Sequence, residues 1–339
     1  MKNTKLLLLF IVLYITPLFS QGEGGTVYVA SYNVENLFDT INDPTIDDEQ
    51  FLPSDSSKWN TEKYTTKLKN LAQVIDSMNG GWGPDILGLV EVENLFVIEQ
   101  LVAHIKNGKN YGIVHFNSPD GRGIDCAMIY NKQYFKLVKA DTAIVTLPNN
   151  WPTRSILHAT MMSPKGIEYH FFVNHWPSRS GGQEKSEVNR IAAASRLRTE
   201  VDRLFAKDPG TNIIIMGDLN DEPTDKSVTQ ILRAAPAICE FADHFPVSEI
   251  YNLSLAKKAA GEGSYKFQGN WSMIDQMLVS GSVLKNNFIC DSYGIFNPSF
   301  IQQKNAGKYE GASLPTFGGR RYFGGYSDHF AIYAIFKLN

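Results

Sequence analysis

The sequence predicts an α/β fold, on three observations. Short apolar runs recur and end in polar residues: 27–32 before Asn33, 86–90 before Glu91, 169–174 before His175, and 213–216 before Gly217-Asp218-Leu219-Asn220. Between them, two segments carry apolar residues at helical spacing: Tyr64, Leu68, Leu71 and Ile75, then Ile191, Ala194, Leu197, Val201 and Leu204. No repeat period recurs and no linker-like stretch divides the chain, so one domain is expected. Strands mixed with helices exclude an all-helical fold. Alone, they leave open a doubly wound sheet and a layered sandwich.

The elements follow in chain order. Lys2 and Lys5, an apolar run over 6–14, Pro17 and Ser20 read as a signal peptide over residues 1–20. That leaves one domain over 21–339 and predicts a secreted or periplasmic protein. No cysteine lies near the cleavage region to accept a lipid, and no later segment has the apolar length of a membrane helix. Residues 27–31 open the domain as a strand. Residues 39–57, rich in Asp, Pro and Ser, read as a surface loop. Asn60 or Thr61 can cap the first helix, which residues 79–84 terminate with glycines and a proline. Strands are expected over 86–90, 111–116, 126–130, 156–161 and 168–174, with Gly121 and Gly123 placing Arg122 in a turn. Pro177, Gly181 and Gly182 mark a loop before the second helix. Pro209-Gly210 ends that helix before a strand at 212–216. Residues 243–270 are less regular, with helix somewhere in 247–260, and 274–279 reads as a strand. Residues 297–326 are glycine- and aromatic-rich, as expected for a long ordered loop or short hairpins.

The 339 residues are 43% hydrophobic, ample for a large core. The net charge of −3 falls to about −5 without Lys2 and Lys5, which argues against a nonspecific basic coat for nucleic acid. Cys126, Cys239 and Cys290 allow at most one disulfide and are not spaced as a metal cluster.

Chemistry concentrates at the strand ends. Residues two apart on an extended chain face the same way, so Asp218 and Asn220 can reach one site. Asp328 and His329 precede the apolar run 330–336. Polar strand ends in this number read as an active site assembled across a sheet edge.

Six pieces carry a family resemblance: Ser31-Tyr32-Asn33-Val34-Glu35-Asn36-Leu37-Phe38, Pro84-Asp85-Ile86-Leu87-Gly88-Leu89-Val90-Glu91, Asn174-His175-Trp176, Gly217-Asp218-Leu219-Asn220, Ile274-Asp275-Gln276 and Ser327-Asp328-His329. In this order they resemble the endonuclease/exonuclease/phosphatase superfamily of DNase I-like enzymes, in its secreted bacterial nuclease-like branch. The resemblance implies a four-layer α/β/β/α sandwich and a divalent-metal phosphoesterase. It implies Glu91 as the principal metal ligand, Asp328 as a further metal-site carboxylate, and Asn33 as the amide beside that metal site. Asp218 would orient or deprotonate the attacking water, and Asn220 would hold phosphate or water in line. Asp275 would fix His329 in its charged form against the transition state. His175 would bind phosphate or protonate the leaving group. The carboxylate set suits Mg²⁺, with Mn²⁺ as substitute, better than zinc.

Arg122, Arg154 and Arg179 adjoin strand ends and are candidate phosphate contacts. Trp176 can stack on a base or pack against Pro177. Arg320 and Arg321 beside Tyr322 and Phe323 form a second candidate surface. His104, His115, His158, His170 and His244 read as structural or surface residues. The expected activity is an exported nuclease with little sequence specificity, nucleic acid (DNA) being its partner and no stable protein partner being expected. The core does not select a leaving group. A phospholipid (sphingomyelinase-like) or inositol phosphate phosphoesterase is therefore the alternative, and a non-catalytic binding protein on this fold is the alternative of another class.

Overall fold

Alternation along the buried strands sets the layers in the computed structural model, which describes residues 25–338. The signal peptide expected over 1–20 lies outside the described residues. In β1 (Thr26–Leu37), Val27 and Val29 enter one core while Tyr28, Ala30 and Tyr32 enter another. In chain order follow β2 (Ile86–Val92), β3 (Tyr111–His115), β4 (Asp125–Asn131), β5 (Lys136–Ala143), β6 (Ile156–Met162), β7 (Glu168–His175) and β8 (Asn212–Asp218). After them come β9 (Ala234–Pro236), β10 (Ile250–Asn252), β11 (Tyr265–Phe267), β12 (Asn270–Ser272) and β13 (Asp275–Ser280). The last are β14 (Gly294–Phe296), β15 (Phe317–Gly318), β16 (Arg321–Tyr322) and β17 (Ala331–Lys337).

A six-stranded sheet runs β14-β17-β1-β2-β4-β3, and a seven-stranded sheet runs β5-β6-β7-β8-β13-β10-β9. They face each other through one core holding Val27, Val29, Val90, Val173, Ile214 and Met216. Helices α1 (Thr61–Ser77) and α2 (Leu95–His104) cover the outer face of the first sheet, and α3 (Gln183–Lys207) covers that of the second. Two short helices, α4 (Leu255–Ala259) and α5 (Gly281–Asn286), complete the set. This is the four-layer α/β/β/α sandwich. No helix among the described residues is long and apolar enough to cross a membrane.

Topology brings the polar strand ends together. The pairs β1–β2 and β7–β8 are parallel, so Asn33, Glu91, His175 and Asp218 all lie toward C-terminal strand ends. β13 and β17 run antiparallel to β8 and β1, which brings Asp275 opposite Asp218 and His329 to the same edge.

Local signals account for most elements. Asn60 caps α1, its side chain accepting the Lys63 N–H at 3.0 Å. α2 escapes the periodicity because Leu95 and Phe96 are exposed and blur its apolar face. β5 escapes because it is an edge strand with mostly exposed or half-buried residues. The irregular 297–326 segment contains 3₁₀ turns and the two-residue hairpin β15–β16. Residues 39–57 depart from the surface-loop reading, since Asp39 and Asp48 are buried. Cys239 and Cys290 form a disulfide across 51 residues, while Cys126 is free and buried.

Two histidines away from the strand-end site carry a pH prediction. His158 Nδ1 lies 2.9 Å from Asp141, its Nε2 lies 2.9 Å from His170 Nδ1, and His170 Nε2 lies 3.1 Å from Glu168. Burial lowers both ring pKa values, and the charge of His158 helps take His170 down to about 4. Folding therefore favours neutral rings, and the unfolded chain binds more protons below about 6.5. Stability should be fully present above that pH and fall by on the order of 2 kcal/mol between pH 7 and 5. Urea unfolding of the wild type and of a His158→Gln/His170→Gln double variant tests this. The same pH dependence in both would refute it.

Candidate active site

Backbone irregularity aims the side chains at the shared edge. The β1–β2 register shifts between Asn33 and Leu37, and the β2–β4 register shifts between Val90 and Val92. Glu91 sits at φ 67° and Asn220 at φ 50°, conformations uncommon for side-chain-bearing residues. Gly217 sits at φ 134°, and a Cβ there would lie 1.9 Å from the Asn174 carbonyl oxygen. Only glycine allows β8 to turn so tightly against β7 before Asp218.

Asn33 Nδ2 donates to Glu91 Oε1 at 3.3 Å and to Asp218 Oδ2 at 3.2 Å, while its Oδ1 accepts the Glu35 N–H at 3.0 Å. The amide thus bridges two carboxylates, with its oxygen turned to the backbone. Asn33, expected as the amide beside the metal site, holds the two carboxylates of that site together. Glu91 Oε2 accepts the Asn36 N–H at 2.9 Å. His175 Nε2 lies 3.7 Å from both Glu91 Oε1 and Asp218 Oδ2. Burial, then the charges of Arg154, Arg122 and His329, hold the His175 pKa well below the usual range.

The second element is His329, whose Nδ1 lies 2.7 Å from Asp275 Oδ2. That same oxygen accepts the Ser264 hydroxyl at 2.6 Å. Tyr265 stacks on the imidazole with ring centroids 4.6 Å apart. Burial opposes the charged ring, but Asp275, Asp328 and Asp218 together raise its pKa well above the usual value. Asp218 is pushed up to about 7 by burial and by Asp275, against the pull of His329. The site therefore combines a neutral His175, a charged His329 and a carboxylate with the proton affinity of a general base.

The donor set fits a hard divalent cation, since Glu91 and the half-exposed Asp328 offer carboxylate oxygens in one charge cluster. Asp218, Asp275 and His329 also present ligand atoms within 4.8 Å of one another. The His329–Asp275 hydrogen bond already occupies two of those groups, so this trio reads as a dyad beside a base.

Three of the four expected substrate contacts turn inward. Arg154 is buried, with Nη1 on Asp120 at 3.0 Å and Nη2 on the Trp176 carbonyl at 2.6 Å. Trp176 is buried and donates to Asn174 Oδ1 at 3.1 Å, which corrects the stacking expectation in favour of packing. Arg179 is tied to the Asn220 carbonyl at 2.7 Å and to Asp225 at 3.0 Å, so it braces the 218–220 turn. Asn220 Nδ2 donates to the Trp176 carbonyl at 2.9 Å. Arg122 keeps a half-exposed side chain, 3.5 Å from Asp120.

Sequence reading missed Lys67. Its ammonium is buried, donating to Thr316 Oγ1 at 2.5 Å and the Tyr326 carbonyl at 2.8 Å, and lies 3.7 Å from Glu35. Glu35 in turn accepts the N–H groups of Thr316 and Phe317. A lysine between Tyr64 and Leu68, on the apolar stripe of a helix, was the available signal. Arg190 was also missed. It is fully buried, with Nε 2.6 Å from Asp221, the residue after Asn220. Arg190→Met should cost about 3–5 kcal/mol, because it leaves Asp221 buried and poorly compensated. Urea denaturation tests this, and a loss below about 1 kcal/mol would contradict it.

The family model described as Endonuclease/Exonuclease/phosphatase family matches residues 28–337. A search of curated proteins finds no match. Among solved structures, truncated Caenorhabditis elegans TDP2 is similar at TM-score 0.57 and 19% identity, over 92% of this chain and 97% of that one. A Bacteroides thetaiotaomicron mannosyl-6-phosphatase gives 0.57 and 17%, over 91% and 99%. D. rerio TDP2 complexed with single-strand DNA product gives 0.54 and 15%, over 92% and 98%. At these identities the likenesses establish the fold.

Proposed function

Because this chain belongs to the Endonuclease/Exonuclease/phosphatase family of phosphoester hydrolases, we propose that it is an exported, Mg²⁺-dependent phosphodiesterase that hydrolyses DNA with little sequence specificity. The observation that carries the chemistry is the convergence of the His329–Asp275 pair, Asp218, Asn33 and Glu91 at one sheet edge.

In this reading, water attacks phosphorus and gives its proton to Asp218 Oδ2. The P–O bond to the leaving group breaks, and the leaving alkoxide takes up a proton from solvent water. Charged His329 stabilises the developing negative charge. Neutral His175 serves as a hydrogen-bonding group for phosphate, which disfavours its alternative role as proton donor. Mg²⁺ held by Glu91 and Asp328 would supply charge neutralisation at the phosphate.

DNA is supported by cation–aromatic pairs on and beside the short hairpins β15–β16 and β11–β12. Arg321 lies 5.2 Å from the Phe323 ring centroid, and Lys266 lies 5.0 Å from that of Trp271. Such pairs can follow a strand of bases and phosphates. The similarity to a TDP2 complexed with single-strand DNA product points the same way. Export is supported by the signal peptide expected over 1–20 from the sequence and by the Cys239–Cys290 disulfide, which suits an oxidising compartment. A small-phosphoester reading has one specific support, the inward turn of Arg154 and Arg179.

A substrate panel decides between them: duplex DNA, single-stranded DNA, RNA, sphingomyelin, inositol phosphates and a mannosyl 6-phosphate, each with Mg²⁺, Mn²⁺ or EDTA. DNA cleavage abolished by EDTA is expected. Hydrolysis of a lipid or sugar phosphate with every polynucleotide untouched would reject the nuclease assignment.

A further inference from the structure

Two arms of the site meet at one buried ammonium. On the first arm, β1 bulges after Asn33, with Glu35 at φ 52° and Asn36 at φ 51°. The bulge sends the Glu35 N–H to Asn33 Oδ1 at 3.0 Å and the Asn36 N–H to Glu91 Oε2 at 2.9 Å. The Glu35 carboxylate accepts from the second arm, taking the N–H groups of Thr316 at 2.6 Å and Phe317 at 3.1 Å. That arm folds back on itself, the Tyr326 N–H donating to the Leu314 carbonyl at 2.7 Å. It then delivers Ser327, whose hydroxyl donates to the Asn33 carbonyl at 2.7 Å, and Asp328. Helix α1 grips it twice. Asn70 Nδ2 donates to the carbonyls of Gly324 at 3.0 Å and Gly325 at 2.8 Å. Lys67 donates to Thr316 Oγ1 and the Tyr326 carbonyl and stands 3.7 Å from Glu35.

Lys67 is 1% exposed. Taking an ammonium out of water is costly, and a methionine would fill the same stripe of α1 without that cost. Packing alone therefore does not account for the lysine. Its contacts do, since they join the arm that holds Glu91 to the arm that carries Asp328. We propose that Lys67 is a positioning residue for the divalent-cation site, setting through Glu35 and the Tyr326 carbonyl the spacing between Glu91 and Asp328. This role rests on the reading that those two carboxylates hold the cation, and it is independent of which phosphoester is cleaved. Position and charge pull in opposite directions here. The charges of Glu35, Asp328 and Glu91 all bear on Lys67. Deleting a nearby positive charge would by itself tighten Mg²⁺ binding, whereas losing the spacing weakens it. A lysine that only stabilised the fold would lower Tm and leave the Mg²⁺ affinity of the folded protein unchanged.

The test measures metal binding without substrate. The full chain and its Lys67→Met variant are titrated with Mg²⁺ by calorimetry and with Mn²⁺ by electron paramagnetic resonance, with circular dichroism as folding control. Lys67→Met should raise Kd for both ions at least about tenfold. Excess Mg²⁺ should then recover part of its turnover. A wild-type Kd in the folded variant would overturn the proposal, and a tighter one would replace positioning by a purely electrostatic role. Should Lys67→Met fail to fold, Thr316→Val takes its place. It removes one partner of the ammonium without changing any charge, and Kd should rise at least about threefold. An unchanged Kd there overturns the proposal equally. Absence of saturable Mg²⁺ and Mn²⁺ binding in the wild type would remove the metal reading and the role of Lys67 together. Wild-type binding with an unchanged variant Kd would remove the role of Lys67 alone.

Discussion

His329→Ala should lower turnover by at least about 10²-fold while leaving the fold intact. The imidazole hangs between Asp275, 2.7 Å from Nδ1, and the carboxylates of Asp218 and Asp328, each 4.0 Å from Nε2. Those charges keep the ring protonated despite its burial. Removing it leaves the transition state without the cation that Asp275 and Asp328 hold at this edge. The fold should survive, because Asp275 keeps its hydrogen bond from Ser264 and β17 keeps its register against β1. Glu91→Ala should behave differently. Its loss should weaken metal affinity, and excess Mg²⁺ should recover part of the activity. Turnover of both variants across a Mg²⁺ titration, with circular dichroism as folding control, separates the two roles. Near-normal turnover by folded His329→Ala would sink its assignment. Full recovery of that variant only at high Mg²⁺ would move His329 to the metal side.

The sheet edge was legible because buried strands announce themselves. The 213–216 run and the 86–90 run are apolar to their last residue, so the first polar side chain marks the exit from the core. Parallel pairing of β1 with β2 and of β7 with β8 turns those exits into neighbours. What could not be read was the inner bracing. Arg154, Arg179 and Arg190 look alike in sequence, each an arginine near a strand end or on a helix. Only the fold shows that Asp120, Asp225 and Asp221 take their guanidinium groups. Charge pairing is long-range, and no local spacing encodes it. The same holds for Lys67, whose partners Thr316 and Tyr326 lie 249 and 259 residues away. The burial of Asp39 and Asp48 was hidden for the opposite reason. Their local composition predicts solvent exposure, and the contacts of the loop with Glu93 override it.

Asp218→Asn should be as damaging, lowering turnover by about 10²–10⁴-fold and changing the shape of the pH profile. Asp218 Oδ1 accepts the Asn220 N–H at 2.8 Å, and Oδ2 accepts from Asn33 Nδ2 at 3.2 Å. An asparagine can keep the first bond with its oxygen, so the turn should hold. It then presents an NH₂ group toward Asn33, which cannot accept a proton from water. Burial and Asp275 raise the carboxyl to about 7, against His329, so it is a stronger base than an ordinary carboxylate. A base must be ionised to act. In the wild type kcat/KM should therefore fall as pH drops through about 7, where Asp218 takes up its own proton. His329 stays charged across this range and His175 stays neutral, because their pKa values are displaced in opposite directions. Neither ring should add a limb near neutrality. The variant should lose the Asp218 part of the acid limb together with the rate, leaving only that of Asp328, which burial also raises to about 7. An identical limb in Asp218→Asn would assign it to another group and remove Asp218 as the base.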